Sequence, residues 1–298
     1  LNAISTFFTA LWKFTRPHTV IGTVVSLSSL FVISASFGHW KFETFALTLI
    51  AALGCNVFIT GINQIYDREL DQINKPELPL ASGKLSLTGA WIITILALIL
   101  MWFCGYFVGW YITGLLSFVA LLGFAYSHPA IRLKKHHVYA AMLISLVRGV
   151  VVNVGILLFF MFLSTGEYRF PPEIIPLVWM ITVFSVGIAW FKDLPDEKGD
   201  REYELKTLAV VSGRRLAFRN GVILVVSAFA LSIGMGFIFF ESTARIIALV
   251  SFFSFLLVFA AIASKVNVHD QTSLKQFYRQ YWILFFTVYL VYPLIIWF

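Results

Sequence analysis

Two short stretches of the chain gather oxygen ligands at helical spacing. Asn63, Asp67 and Asp71 stand at i, i+4 and i+8, which on a helix places all three on one face, a turn apart. Asp193, Asp196 and Asp200 stand at i, i+3 and i+7, again one helical face, although Pro195 and Gly199 among them predict a helix loosened or broken there. Like charges stacked in this way repel one another unless a cation bridges them. Hard oxygen donors, few in number, with the remaining positions left to water and phosphate, are what Mg²⁺ takes. The bland alternative is a solvated helix end with ordinary surface acids, and it weakens when two such stretches share one side of the chain. Two facing acidic sites would hold two or more Mg²⁺ ions with a diphosphate between them, and the metal charge would stabilise a departing pyrophosphate.

Basic residues belong to the same chemistry. Tyr126, Arg132 and Lys134 follow the fourth apolar run, and Arg or Lys can clamp phosphate oxygens; the alternative is plain anchoring at a membrane face. Arg148 lies about two turns inside an apolar run, where an ionisable side chain faces a cavity or a partner. A diphosphate, an acceptor carboxylate and a structural acidic partner all remain open for it. Asn56 precedes Asn63 by two turns and shares its helix face. Asn153, also within a span, reads as a residue that ties helices together.

The elements that position these groups are membrane helices. Of 298 residues, 59% are hydrophobic and 12% charged, whereas a soluble domain is about half apolar and about a quarter charged. Nine runs reach the roughly 20 apolar residues a bilayer core requires, near 20–38, 43–65, 87–108, 110–127, 138–163, 173–192, 216–239, 243–264 and 277–297. The third and fourth are separated only around Gly109, which predicts a tight helical hairpin. The fold expected is an all-α polytopic bundle forming a single domain over 1–298. Lys41, Arg169 and Arg245 fall on one side and Arg148 within a span, while the other eighteen of the twenty-two Lys and Arg lie on the N-terminal side. That asymmetry places the N-terminus in the cytoplasm or its equivalent. Eleven of the fifteen acids lie on that same side, ten of them within 67–77 and 193–204, where something cationic is expected to be held. Cys55 and Cys104 sit in apolar runs without metal-ligand spacing and read as small core residues.

At this point the residues resemble a known family. Asn63 to Asp71 fits the NQxxDxxxD form of the NDxxDxxxD signature of UbiA-type intramembrane prenyltransferases, and Lys192 to Asp200 is similar to their second, KDxxDxxxD signature. Thr15-Arg16-Pro17-His18-Thr19 resembles the RPHT sequence of the homogentisate prenyltransferase branch. Asn74-Lys75-Pro76 with Leu78 to Gly83 resembles its NKPxLPLASG stretch, and Val147-Arg148-Gly149 through Asn153 and Gly155 its VRGxxxNxG segment. Ser127-His128-Pro129 departs from that branch, where Pro-Pro is expected before Arg132. The resemblance implies Mg²⁺-dependent transfer of a phytyl, geranylgeranyl or solanesyl chain from its diphosphate to an aromatic acceptor, homogentisate with decarboxylation, as in plastoquinone or tocopherol synthesis. It implies one Mg²⁺ at Asn63, Asp67 and Asp71 and a second at Asp193, Asp196 and Asp200. Arg16, Asn56, Tyr126, Arg132, Lys134, Arg148 and Lys192 are then the substrate-binding set. A bacterial inner membrane or a plastid membrane would house it.

Two other readings stand beside this one. A secondary transporter would place interrupted helices near the midplane, often in paired repeats, whereas these acids lie at helix ends. A prenyltransferase for 4-hydroxybenzoate, dihydroxynaphthoate or chlorophyllide would share both acidic signatures and differ only in its acceptor pocket.

Overall fold

The computed structural model describes residues 2–298. They are helical; among the described residues the one strand-type pairing is an isolated bridge between His136 and Lys206. A short helix α1 (Asn2–Phe14) precedes α2 (Pro17–Ala35), which starts on a proline, a residue preset for a first helical position. Next come α3 (Phe42–Tyr66), α4 (Arg68–Asn74), α5 (Leu87–Val108) and α6 (Trp110–Ser127). Ser86 caps α5 by accepting the Gly89 N–H at 3.0 Å. Gly109 alone joins α5 to α6, at φ 131°, so the expected tight hairpin forms. The fifth span is not one uniform helix. It runs as α7 (His137–Ser145), an eleven-residue π-helix (Leu146–Ile156) and α8 (Leu157–Thr165). There follow α9 (Ile175–Glu202), α10 (Leu208–Ser212), α11 (Arg214–Phe239), α12 (Ser242–Ala263) and α13 (Gln271–Trp297).

Nine helices among the described residues are long and apolar enough to cross a membrane, and they coincide with the nine runs expected. Large apolar side chains point outward from them. On α5, Ile92, Leu96, Ile99 and Phe103 are all exposed along one face, as side chains meeting lipid rather than water would be. The chain is an integral membrane protein. The sixth span, which continues as α9, is the most enclosed, with 67% of its apolar window buried against 28% for α5, α11 and α12.

Two compact units divide the chain. One comprises the residues up to Val24, Phe42–Lys135 and Lys198–Glu204; the other comprises Val25–Lys41, His136–Glu197 and Leu205–Phe298. In the first, α3 lies against α5 and α6. Phe14, Ile65, Leu80, Leu85 and Ala90 form a buried cluster there, and the Gln64 carboxamide donates to the Phe14 carbonyl at 2.6 Å. The end of α1 is thereby fixed beside the end of α3. In the second unit, α13 presents buried Tyr281, Tyr289 and Tyr292, whose hydroxyls donate to the Phe184 carbonyl at 3.1 Å, Asn153 Oδ1 at 2.8 Å and the Glu173 carbonyl at 2.6 Å. Rings from α9, α11 and α13 pack around them, with Phe184 stacked on Tyr281 at 4.8 Å and Phe191 edge-on to it at 5.0 Å. A buried phenol requires such a partner for its O–H, so each tyrosine fixes a register as well as filling space.

Candidate active site

The helix carrying the first acidic stretch is interrupted within the signature. α3 ends at Tyr66, Asp67 takes φ −101° and ψ 12°, and α4 starts at Arg68. Backbone bonds nevertheless continue across the kink, from Asp67 N–H to the Asn63 carbonyl at 3.0 Å and from Asp71 N–H to the Asp67 carbonyl at 2.7 Å. The i, i+4 stacking therefore survives. Asn63 Nδ2 donates to Asp67 Oδ2 at 3.0 Å and to Ser127 Oγ at 3.2 Å. Lys134, itself buried, pairs directly with Asp67 Oδ2. Arg132 Nη2 lies 3.9 Å from Asp67 Oδ1, and Arg16 Nη2 lies 3.6 Å from Asp71 Oδ2. Two buried carboxylates thus meet three cations drawn from distant parts of the sequence.

Backbone geometry marks the same place. Four non-glycine residues among those described have positive φ, and two of them are Arg16 at 52° and Arg132 at 44°. Left-handed backbone at such a residue costs about 1–3 kcal/mol and persists only where the surroundings impose it. In both cases the guanidinium ends beside an acid of the first signature. The donor set also suits a hard divalent cation. Asp67 Oδ1 is buried and takes no hydrogen bond, and carboxylate and carboxamide oxygens are the ligands such an ion prefers.

The second stretch is not broken. α9 continues through Pro195 to Glu202, where the sequence leads one to expect a loosened helix. Pro195 lacks an N–H, and the weakened stretch is braced by side chains from elsewhere. Gln271 Nε2 donates to the Pro195 carbonyl at 3.1 Å. Gly199 N–H donates to Asn74 Oδ1 at 3.1 Å, and Asn74 Nδ2 donates to Asp200 Oδ1 at 3.2 Å. A Cβ at position 199 would overlap the Asn74 carboxamide, so this approach requires glycine. Asn74 ends α4, three residues after Asp71, and it therefore ties the last acid of the second signature to the helix that carries the first. Asp193, Asp196 and Asp200 are all buried. Lys192 Nζ lies 3.8 Å from Asp193 Oδ1, and Arg214 Nε lies 2.7 Å from Glu197 Oε2.

The remaining expected residues divide. Asn63, Asp67, Asp71, Arg16, Arg132 and Lys134 form one connected network, which Asp200 approaches through Asn74. Lys192, Asp193 and Asp196 share α9. Tyr126 is half-buried at the end of α6. The polar groups of Asn56 are spent on α2: Nδ2 donates to the Thr19 carbonyl at 2.9 Å and to Thr23 Oγ1 at 2.7 Å, and Oδ1 accepts from Thr19 Oγ1 at 2.9 Å. Arg148 lies on the π-helix, its guanidinium 4.7 Å from the Trp282 ring and 5.8 Å from the Phe285 ring. Asn153 does tie helices together, through Tyr289. Sequence reasoning missed Asn74 and Ser127. Ser127 occupies the very position where the chain departs from the expected Pro-Pro, and that departure was the available signal.

Residues 19–291 match the UbiA prenyltransferase family. The chain is 38% identical to the homogentisate phytyltransferase of Synechocystis sp., covering 97% of this chain and 96% of that one. It is 35% identical to the chloroplastic homogentisate solanesyltransferase of Arabidopsis thaliana, over 98% of this chain and 78% of that one. Among solved structures it is similar to a digeranylgeranylglyceryl phosphate synthase, with a TM-score of 0.66 at 20% identity over 100% of this chain and 99% of that one. It is also similar to a UbiA homologue from Archaeoglobus fulgidus bound to GPP and Mg²⁺, with a TM-score of 0.63 at 16% identity over 94% and 99%.

Proposed function

The chain belongs to the UbiA prenyltransferase family, and on that premise we propose that it transfers a prenyl group from a prenyl diphosphate to homogentisate, as one catalytic domain over residues 1–298. It is a divalent-metal-dependent aromatic prenyltransferase, and Mg²⁺ is the ion. The observation that carries this reading is the network around Asp67. One buried oxygen of this carboxylate, Oδ1, takes no hydrogen bond and lies 3.9 Å from Arg132 Nη2, while Lys134 pairs with the other, Oδ2. A metal–diphosphate complex requires that pairing, with oxygens for the ion and cations for the phosphate.

Among the described residues no three His, Cys, Asp or Glu side chains gather as a ready-made metal cage. Mg²⁺ commonly takes one or two carboxylates and completes its shell with water and substrate phosphate. Asn63, Asp67 and Asp71 would hold one ion and Asp193, Asp196 and Asp200 a second, and the chemistry these supply is neutralisation of the leaving pyrophosphate. Arg16, Arg132, Lys134 and Lys192 hold phosphate oxygens. The C1–O bond of the donor breaks, its electron pair leaving with pyrophosphate. A ring carbon of the acceptor bonds to C1, and the proton on that carbon is lost. The acetate side chain of homogentisate then loses CO₂ and takes up a proton at its methylene carbon. Exclusion of water would protect the allylic cation from hydrolysis. The Lys and Arg asymmetry supports a cytoplasmic or stromal side for both signatures, in a bacterial or plastid membrane.

The test is a donor and acceptor panel. Detergent-purified protein with Mg²⁺ and homogentisate is offered phytyl, geranylgeranyl and solanesyl diphosphates in parallel, with pyrophosphate and lipid-soluble product both followed. Product from one donor, abolished by chelation, supports the reading and sets the chain length. Product with 4-hydroxybenzoate or a dihydroxynaphthoate but none with homogentisate keeps the reaction class and overturns the acceptor. Folded protein inactive with every pair overturns the reaction.

A further inference from the structure

Arg148 is a cation in the middle of a membrane span, and its surroundings are unusual for one. The flanking segments α7 and α8 are ordinary α-helix, but Leu146–Ile156 is π-helical. π-Turns are rare and concentrate at functional positions, because widening the helix re-aims side chains. Here the wide turns are held by a dedicated side chain. Asn153 Nδ2 donates to the Arg148 carbonyl at 2.8 Å and to the Gly149 carbonyl at 2.9 Å. The amide oxygen of Asn153 in turn accepts from Tyr289 at 2.8 Å. A Cβ at Gly149 would run into the backbone and side chain of Thr182, so the widened segment lies directly on α9. The backbone bearing Arg148 is therefore fixed from two sides.

The guanidinium is less well satisfied. It lies over Trp282 at 4.7 Å and beside Phe285 at 5.8 Å, while Nη1 is buried and makes no hydrogen bond. Aromatic faces recover part of a cation's solvation, but they give Nη1 no hydrogen-bond acceptor. A charged donor with a buried, unmade hydrogen bond is a standing cost to the fold. Cost of that kind, on a backbone braced in a rare conformation, marks a group kept for a partner. A planar fork of N–H donors matches one chemistry above others, the two oxygens of a carboxylate. The aromatic wall beside it suits an aromatic substrate whose carboxylate lies on the ring or one methylene from it.

We propose that Arg148, with Trp282 and Phe285, forms the seat for the carboxylate of the aromatic acceptor, and that this seat restricts the enzyme to acidic acceptors. The inference rests on the function proposed above and deepens it, because it names what distinguishes an acceptor from a merely electron-rich ring. Arg148 is then a specificity residue, with Asn153 and Tyr289 positioning it through the π-helix.

The experiment compares 2,5-dihydroxyphenylacetate with its methyl ester and with methylhydroquinone, using whole protein in detergent and the preferred prenyl diphosphate. Wild-type protein should favour the acid in kcat/KM by roughly 10- to 100-fold, the range of a hydrogen bond to a charged group. Arg148→Gln should bring that ratio close to one by raising the KM of the acid, with the prenyl diphosphate KM unchanged within about twofold, since only the acceptor touches this residue. Arg148→Lys, which keeps the charge and the stem, should fall between. A wild-type ratio near one, or an Arg148→Gln variant that keeps the wild-type ratio, overturns the seat. Should Arg148→Gln fail to fold, the wild-type ratio and the Lys variant still decide. If wild-type protein prenylates none of the three, the proposed function falls instead. The seat is then judged by thermal shift, where stabilisation by the acid but not the ester supports it and equal response to both overturns it.

Discussion

The two acidic stretches are secured by different means. At the first, three cations from two distant stretches of chain reach the carboxylates themselves, Lys134 and Arg132 at Asp67 and Arg16 at Asp71. At the second, side chains from elsewhere capture the backbone, Asn74 at Gly199 and Gln271 at Pro195. Each arrangement has its own point of failure. A carboxylate held by buried charge is sensitive to removal of that charge, because the partner is left uncompensated in a poor solvent. A helix held by its backbone is sensitive to volume, because the clasp works only where nothing projects from Gly199.

The largest effects should separate activity from stability. Asp67→Asn and Asp193→Asn should each reduce kcat by about 10²–10³-fold or more, as expected for groups that stabilise developing charge on the leaving group. Their thermal behaviour should differ. Asp67→Asn breaks the buried pair with Lys134, and breaking a buried ion pair from one side costs about 3–5 kcal/mol. Asp193 pairs at 3.8 Å with a lysine whose side chain is 32% exposed, a contact worth about 1 kcal/mol or less. Melting curves in detergent check this; equal losses of Tm in the two variants would break the contrast.

Next in size is the role of the cations. Lys134→Met should raise the KM for prenyl diphosphate by about 10- to 100-fold, the loss of one charge-assisted bond to phosphate. Combined with Asp67→Asn it should lose less stability than the two single changes added together, because the pair shares one interaction. Strict additivity in melting temperature would show that Lys134 serves the substrate alone.

The volume side is tested at Gly199. Alanine is ordinarily the better helix former, by about 1 kcal/mol, so in an undisturbed helix Gly199→Ala would stabilise. Here it should destabilise by about 1–3 kcal/mol, since its methyl meets the Asn74 carboxamide, and activity should fall about tenfold as Asp200 shifts. Gly199→Ala joined to Asn74→Ala should recover stability relative to Gly199→Ala alone. A stabilised Gly199→Ala single variant would remove the clasp from the comparison.

These contrasts show what a sequence discloses. Nine spans were legible because the bilayer imposes length and apolarity on each helix separately, residue by residue. The spacing of Asn63, Asp67 and Asp71 was legible for the same local reason. What was hidden depends on residues far apart in sequence. The kink at Asp67 sits between α3 and α4 although nothing in Gln64 to Glu69 breaks a helix. The continuity of α9 past Pro195 depends on Asn74 and Gln271, whose types alone say nothing of the carbonyl or N–H they meet. The π-helix is hidden similarly, since its support combines Asn153 with a tyrosine more than a hundred residues away. Arg148 could be singled out by its depth, but its aromatic neighbours come from α13 and could not.

The smallest effect expected is at Asn56, and it tests where the first acidic network ends. The residue shares the helix face of Asn63, which marked it for substrate binding, yet its carboxamide is fully engaged by Thr19 and Thr23. Three hydrogen bonds between α2 and α3 fix the start of α2, immediately after Arg16. Removing them with Asn56→Ala leaves two threonine hydroxyls that can turn to carbonyls of their own helix, as Thr19 and Thr23 already do toward Arg16 and Thr19, so the cost should be only about 1–2 kcal/mol in Tm terms. Both substrate KM values should stay within about twofold of wild type, because no polar atom of Asn56 is left to meet a ligand. A selective rise in the prenyl diphosphate KM, with Tm unchanged, would place Asn56 inside the binding network after all. It would also show that the threonine contacts give way when substrate enters.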